Sequence, residues 1–165
     1  MLDKLRFSEE ELSLYNPAFT GFILYSAIRE YQSYHPDGMH VALAFIVLPM
    51  SLNQLISTNL PSTYRTPIAA WVASNEGLLA DFPDQAEAYI SIVRSSLGFL
   101  LDRGLLCLCD EGRLTIGQHN LVNNPGFFRQ SADMSNGLRA SKFLGRWFSH
   151  APSVETVFAQ LGVRP

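Results

Sequence analysis

LLCLCDEGRLTIG, at residues 105–117, contains two short apolar runs separated by a charged turn that ends in glycine. Residues 105–109 and 113–116 have the composition of strands, and the Asp-Glu-Gly between them predicts a hairpin. Upstream, Pro83 begins an amphipathic helix that ends at Arg103 and Gly104, the cation and the left-handed residue expected there. Preceded by a shorter helix at 68–74, this order of elements is typical of a winged helix.

Helices also dominate the N-terminal part. Asn16 has the side chain of a cap for a helix over residues 17–34, which begins with proline. Residues 41–49 are almost entirely apolar, so periodicity leaves a buried strand or a buried helix open; we favour the helix and expect Pro49 to break or kink it. Ahead of them, residues 8–11 have the pattern of a capping box that opens a short acidic turn.

The C-terminal part follows an irregular crossing and contains two further amphipathic helices, at residues 133–149 and 154–161. The predicted fold is therefore mainly α with a small β-hairpin. We expect one winged-helix-like domain with extra N-terminal and C-terminal helices. Its parts are an N-terminal helical part at 1–60, a winged-helix-like core at 61–117 and a C-terminal helical part at 118–165.

Charge is scarce and apolar residues are abundant. Hydrophobic residues make up 47% of the 165 residues and charged residues 16%, against roughly 25% charged in an ordinary domain. We therefore expect a partner, or a second copy of the chain, to cover apolar surface. The helix at 17–34 is apolar nearly all round, so it is buried either in the domain centre or partly by another chain. The predicted partner interface consists of Phe19, Phe22, Tyr25, Tyr31, Trp147 and Phe148.

Basic residues concentrate near the C-terminus. Residues 118–165 carry five bases against two acids, whereas the whole chain has a net charge of −3. The cations of the 133–149 helix form either a solvated face or a contact for phosphate or an acidic partner. The predicted contact residues are Arg113 at the hairpin and Arg139, Lys142 and Arg146, aided by Arg129 and Arg164. By contrast, the helix at 83–102 has three acids and one arginine, which suits protein docking better than reading DNA.

Cys107 and Cys109 raise the question of a metal or redox site. One residue separates them, whereas zinc and redox pairs have two or more between them, and the chain contains no second pair. Alternate residues of a strand share a face, so we expect both sulfurs to pack together against the core or at its edge. We interpret the pair as packing rather than chemistry.

No catalytic or cofactor motif occurs in the sequence. The four histidines, at positions 35, 40, 119 and 150, have no ligand spacing, while Asp81, Asp84 and Glu87 suit the positive end of a helix dipole. We therefore predict no enzymatic activity, no cofactor and no bound metal. The lack of a signal peptide and of a membrane-length apolar run predicts a soluble, cytoplasmic protein without membrane contact.

Five stretches together resemble a known family. They are NPAFTGFILYSAIREYQ from Asn16, AFIVLP from Ala44, RTPIAAW from Arg65, LGRWF from Leu144 and the closing LGVRP from Leu161. In this order they look like the middle component of bacterial three-component ABC systems. The resemblance covers nearly the whole chain, from about residue 16 to 165, and none of the stretches is a catalytic signature.

This resemblance implies a non-enzymatic subunit that acts beside an SMC/Rad50-like ABC ATPase and a separate effector protein, in conflict with phage and other mobile elements. The resemblance also implies a role similar to that of the small winged-helix subunits that associate with SMC complexes. Two functions follow as hypotheses. The first is an adaptor that docks on the ATPase and links it to the effector, with DNA contacted through the complex. The second is a direct DNA-binding winged helix that uses the hairpin and the basic helix.

Overall fold

The computed structural model describes residues 15–164, so the capping box predicted at residues 8–11 lies outside it. Helices make up most of the fold, with one small antiparallel sheet. The prediction of a mainly α fold with a small hairpin is confirmed. The winged-helix assignment stays a prediction.

The elements have the following bounds. The helices are α1 (Pro17–Gln32), α2 (Ala44–Leu52), α3 (Gln54–Thr58), α4 (Ile68–Ser74), α5 (Glu76–Leu79), α6 (Phe82–Ala88), α7 (Ile90–Asp102), α8 (Ala132–Ser149) and α9 (Val154–Leu161). The strands are β1 (Met39–His40), β2 (Leu106–Cys109) and β3 (Arg113–Ile116), and short 3-10 turns occupy Val41–Leu43, Asp110–Gly112 and Gly126–Arg129.

The sheet contains the predicted hairpin and one additional strand. Its order is β1-β3-β2, with β3 antiparallel to both neighbours. The hairpin turn places Glu111 and Gly112 at φ of 62° and 69°, a left-handed conformation that glycine adopts without a steric penalty. The sequence did not predict β1, because a strand of two residues has no periodicity to detect.

Helix α1 lies at the centre of the core. The Asn16 side chain caps it by accepting a hydrogen bond from the Phe19 amide at 2.9 Å, as predicted. Its most extensive contact is with α8, and the next most extensive is with α7. A buried hydroxyl pair joins α1 to α7, with 2.6 Å between Thr20 Oγ1 and Ser96 Oγ. The core cluster therefore includes residues from all three predicted parts of the chain.

Three local predictions differ from the structure in detail. The helix expected from Pro83 consists of α6 and α7, which meet at Tyr89. Pro49 lies inside α2, and the break comes later, at Asn53, whose side chain caps α3. The cap of α4 is Pro67, whereas a cap at Thr66 followed by proline at the first helical position is the start that the sequence predicts. Within residues 15–164, each helix is too short or too polar to cross a bilayer.

Candidate functional site

The aromatic side chains predicted to contact a partner lie mainly in the core. Five of them are 0–9% exposed, namely Phe22, Tyr25, Tyr31, Trp147 and Phe148. Phe19 is half-buried and stacks on Phe128 with ring centroids 5.6 Å apart. The sequence left two alternatives for the apolar helix, burial in the domain centre or partial burial by another chain. In the structure the helix is buried in the domain centre. A docking surface therefore needs other side chains, and a partner contact at Phe19 stays a prediction.

Arg146, predicted as part of a basic face, packs between two tyrosines. Its guanidinium carbon lies 4.2 Å from the ring centroid of Tyr64 and 5.2 Å from that of Tyr34. Both distances are in the range of cation–π attraction. Its Nε is buried without a hydrogen-bond partner among the residues that the structure describes. Arg146 therefore holds the end of α8 against the loop before α4, which limits its use as a free surface charge.

Arg113, predicted to contact nucleic acid from the hairpin, points back toward the fold. Its Nη1 donates to the Gly38 carbonyl oxygen at 3.1 Å, which ties β3 to the turn before β1. Burial raises the pKa of the neighbouring Tyr31, and the charge and hydrogen bond of Arg113 act in the opposite direction. Arg113 has a structural role here, and its contact with nucleic acid stays a prediction.

A cationic pocket lies between the 3-10 turn at Gly126–Arg129 and helix α8. Its volume is about 420 Å³, and its charged lining residues are Arg129, Arg139 and Lys142. The remaining lining residues are Asn124, Pro125, Phe128, Ser135 and Leu138. None of these is acidic. The structure therefore brings two of the predicted contact residues together with Arg129 and separates them from Arg113 and Arg146.

Two cations hold the loop that borders this pocket. Lys142 Nζ donates to Asn123 O at 2.9 Å and to Asn124 Oδ1 at 2.7 Å. Arg29 donates to Leu121 O at 2.7 Å and to Asn123 Oδ1 at 2.8 Å. All four acceptors are neutral, so these hydrogen bonds do not cancel either charge. Burial lowers the pKa of Lys142, and the positive charge of Arg29 lowers it further.

An apolar groove of about 720 Å³ lies where α2, α6, α7 and the C-terminal end of the chain meet. Its apolar lining residues are Val41, Ala42, Phe45, Pro83, Ala86, Ile90, Phe158 and Val163. Asp84 and Glu87 form an acidic edge on α6, and Arg94 and Arg164 supply the positive charges of the lining. Gly162, at φ 70°, ends α9 in a left-handed turn that directs Val163 into the wall.

A third, more polar pocket of about 610 Å³ lies among the start of α1, the junction of α2 with α3, and the start of α8. Asn136 Nδ2 donates to Ser57 Oγ at 2.6 Å, and Gln54 Nε2 donates to Asp133 at 3.3 Å. Phe127, which is 57% exposed, forms part of its lining. These polar side chains hydrogen-bond to one another and join α3 to α8.

Cys107 and Cys109 do not pack against the core, which is the first of the two places predicted for them. Both are exposed free thiols on β2, and Cys109 Sγ lies 3.3 Å from Thr115 Oγ1 on the neighbouring strand. Strand alternation does place them on one face, but the fold leaves that face of the sheet uncovered. Because both thiols are exposed, the interpretation of the two cysteines as a buried packing pair is wrong. That they have no metal or redox role stays a prediction.

Histidines and acids are dispersed over the fold. Among residues 15–164, no three side chains of His, Cys, Asp or Glu are grouped so that they could hold a metal ion. His35 Nε2 lies 2.6 Å from Ser149 O, and His40 Nδ1 accepts a hydrogen bond from the Ala42 amide at 3.2 Å. His150 Nδ1 lies 2.7 Å from Arg146 O. These three histidines contact main-chain atoms, as expected of capping and packing residues.

Sequence analysis missed the residues that bring the two main helices together. Gly137, Ser141 and Gly145 follow one another at intervals of four on α8, and all three are buried. A Cβ at Gly145 would overlap the main-chain oxygen of Ala27 on α1. The small-residue spacing is a signal that could have revealed this close packing. The walls of the apolar groove had no such signal, because they come from three distant segments, at residues 41–45, 83–94 and 158–164.

No curated protein and no solved structure matches the chain significantly. The sequence model of one family, described as ABC-three component (ABC-3C) system Middle Component 3, matches residues 5–165. That match covers nearly the whole chain and agrees with the resemblance carried by its five quoted stretches. The chain therefore belongs to the ABC-three component system Middle Component 3 family.

Proposed function

We propose that this protein is a non-enzymatic accessory subunit that docks on an SMC/Rad50-like ATPase and links it to an effector protein, in defence against phage and other mobile elements. Membership of a three-component system supports the existence of partner components. The observation that carries the docking proposal is the apolar groove, whose volume of about 720 Å³ is within the usual range for binding clefts.

The occupant proposed for the groove is an amphipathic helix of the ATPase. Helices of this kind bind by placing an apolar face in a groove, with anchors at intervals of three and four residues. Phe45 and Ile90 are half-buried lining residues that remain accessible to such a face. Asp84 and Glu87 are exposed at the edge and favour basic residues beside the apolar face of the partner.

Co-purification with the ATPase tests this proposal, followed by a binding titration of the purified pair. Val163→Glu and Phe45→Glu each place a charge in the groove and should weaken the complex at least tenfold, because the carboxylate would be desolvated on docking. Leu55→Glu is the matched control, since Leu55 is 67% exposed on α3 and does not line the groove.

Thermal unfolding of each variant, measured beside the titration, separates lost docking from lost folding. Val163 is the safer position because it lies beyond the last helix. If folded Val163→Glu and Phe45→Glu proteins bound the ATPase as tightly as the wild type, the groove would not be the docking surface. A loss caused equally by Leu55→Glu would also contradict the proposal.

The second candidate function is direct binding of duplex DNA by a winged helix. It is supported by the hairpin that follows α7, by the three-stranded order β1-β3-β2, and by Arg139 and Lys142. An isolated monomer with strongly salt-dependent affinity for duplex DNA would favour it over the adaptor. The double variant Arg139→Glu, Lys142→Glu should then release the DNA, whereas an adaptor would keep its ATPase contact.

A further inference from the structure

We propose that the cationic pocket and the exposed ring of Phe127 together bind single-stranded nucleic acid. Arg129, Arg139 and Lys142 would hold backbone phosphate, and Phe127 would stack with a base. The cationic pocket and the apolar groove share no lining residue. The inference is therefore independent of where the ATPase docks, and either proposal can fail without the other.

Uncompensated positive charge is the first argument. Among residues 15–164, the pocket is lined by three cations and by no acidic side chain. Lys142 makes its hydrogen bonds to neutral oxygens, and Arg29 adds a fourth cation at the same loop. The nearby Glu30 raises the pKa of Lys142, but by less than Arg29 lowers it. A phosphate would supply the missing negative charge and accept several charge-assisted hydrogen bonds.

Unused donors are the second argument. Among the described residues, Arg129 has no hydrogen-bond or ion-pair partner, and its side chain is exposed. Arg139 uses a single nitrogen, Nη2, for its bonds to Ser57 O at 3.0 Å and Asn136 Oδ1 at 2.7 Å. A guanidinium has five N–H donors. The two contacts thus orient the Arg139 side chain while other donors remain directed toward the pocket or solvent.

An exposed aromatic ring on a fixed turn is the third argument. Phe127 is 57% exposed and lies two residues before Arg129 in the same 3-10 turn, where it lines the neighbouring polar pocket and not the cationic pocket itself. The turn is anchored by Phe128, which is 5% exposed and lies 4.8 Å, centroid to centroid, from Phe22 in α1. Proteins that bind single strands combine such stacking rings with cations that follow the backbone.

The size and charge of the surface favour a single strand over a duplex. Duplex binding relies on many phosphate contacts along an extended basic face. Here the net charge is −3, and the lining cations are confined to a pocket of about 420 Å³. Of the other three predicted cations, Arg113 and Arg146 contact the chain itself, and Arg164 lines the apolar groove. One or two phosphates with a flanking base match this surface.

Fluorescence anisotropy of the full chain with labelled single strands of about 12 nucleotides tests the proposal, with duplex DNA of the same sequence and an acidic peptide as competitors. Arg129→Glu should weaken binding at least tenfold and lower the slope of log affinity against log salt by about one. Phe127→Ala should weaken it about tenfold, and Phe127→Trp should restore it, because indole also stacks.

Arg65→Glu is the matched control for charge reversal, since Arg65 is exposed and does not line the pocket. An equal loss in Arg65→Glu and Arg129→Glu would indicate a diffuse charge effect and overturn the site. Preference for the duplex, insensitivity to Phe127→Ala, or binding of the acidic peptide alone would each overturn it as well. So would the absence of oligonucleotide binding by the full chain both alone and in complex with its ATPase.

Discussion

The contact between α1 and α8 and the hairpin of β2 and β3 are both rich in apolar residues, but the fold treats them differently. In the helix pair, Tyr25, Ala27 and Ile28 are fully buried. In the hairpin, Leu106 is buried, but Leu108 is 57% exposed and both cysteines are exposed. Apolar composition alone therefore does not distinguish the core from the surface of this protein.

The difference comes from what lies on each side of the element. Helix α1 is enclosed by α7, α8 and the sheet, so most of its residues are buried. Among the strands of residues 15–164, β2 is at the edge of the sheet and pairs with β3 alone. The side chains of an edge strand are buried only where another layer packs against them. In β2 such packing buries Leu106, whereas the residues nearer the turn are exposed. Mutations should therefore lower the free energy of unfolding much more in the helix pair than in the hairpin.

The largest effect is expected for Trp147→Ala in α8. Trp147 is 2% exposed, donates from Nε1 to Thr66 O at 2.7 Å, and meets Trp71 edge-on with centroids 5.5 Å apart. Its removal should lower the free energy of unfolding by about 3–5 kcal/mol in urea titrations. Leu108→Ala is the hairpin counterpart and should stay within about 0.5 kcal/mol. Similar losses at both positions would break the comparison.

Gly145→Ala should cost about 1–3 kcal/mol, because the added methyl group overlaps the Ala27 oxygen and pushes α1 from α8. Gly98→Ala in α7 has the opposite expectation. No atom of the described residues lies within 4 Å of the added carbon there, so the better helix propensity of alanine should stabilise the fold by about 0.5–1 kcal/mol. Chemical denaturation of the two variants side by side measures the change in the free energy of unfolding for each and therefore its sign. A stable Gly145→Ala protein would mean that the helices can separate freely.

Asn16→Ala should destabilise the protein by about 1 kcal/mol, because it removes the acceptor of the Phe19 amide at the start of α1. Asn16→Asp retains an acceptor and is the matched control. Thermal unfolding of both variants isolates the end of the helix from its packing. An Asn16→Ala protein as stable as Asn16→Asp would show that packing alone determines where α1 begins.

The smallest effect is expected in the hairpin, for Cys107→Val combined with Cys109→Val. Both thiols are exposed, so stability should change by less than about 0.5 kcal/mol. Assembly with the partner components and metal content should also stay the same. Elemental analysis of the purified wild type and variant checks the second point. Stoichiometric zinc in the wild type that disappears in the variant would reopen a metal role.

Patterns within a few residues predicted most of the fold. The cap at Asn16 and the hairpin turn both occur where the sequence indicated them. Strand β1 was missed because two residues carry no pattern, and its pairing with β3 joins positions about 75 residues apart. Alternation placed both cysteines on one face, but it carries no information on whether another layer covers that face.

The candidate sites were only partly predictable from the same patterns. Arg139 and Lys142 were identified by their spacing on a helix and do line one pocket. Arg146 has the same spacing, but its guanidinium packs against the rings of Tyr34 and Tyr64, which come from distant loops. The apolar groove could not be predicted, because α2, α6, α7 and the last residues meet only in the folded chain.

The sequence by itself determined the helices, their caps, the hairpin and the family, because these depend on residue types at short separations. Only the tertiary structure decided which apolar surfaces are covered and which cations remain available to a ligand. Burial and charge compensation depend on contacts between segments far apart in the chain, such as Ala27 with Gly145 and Lys142 with Asn123. Their outcome follows from packing the whole domain and not from any one of its segments.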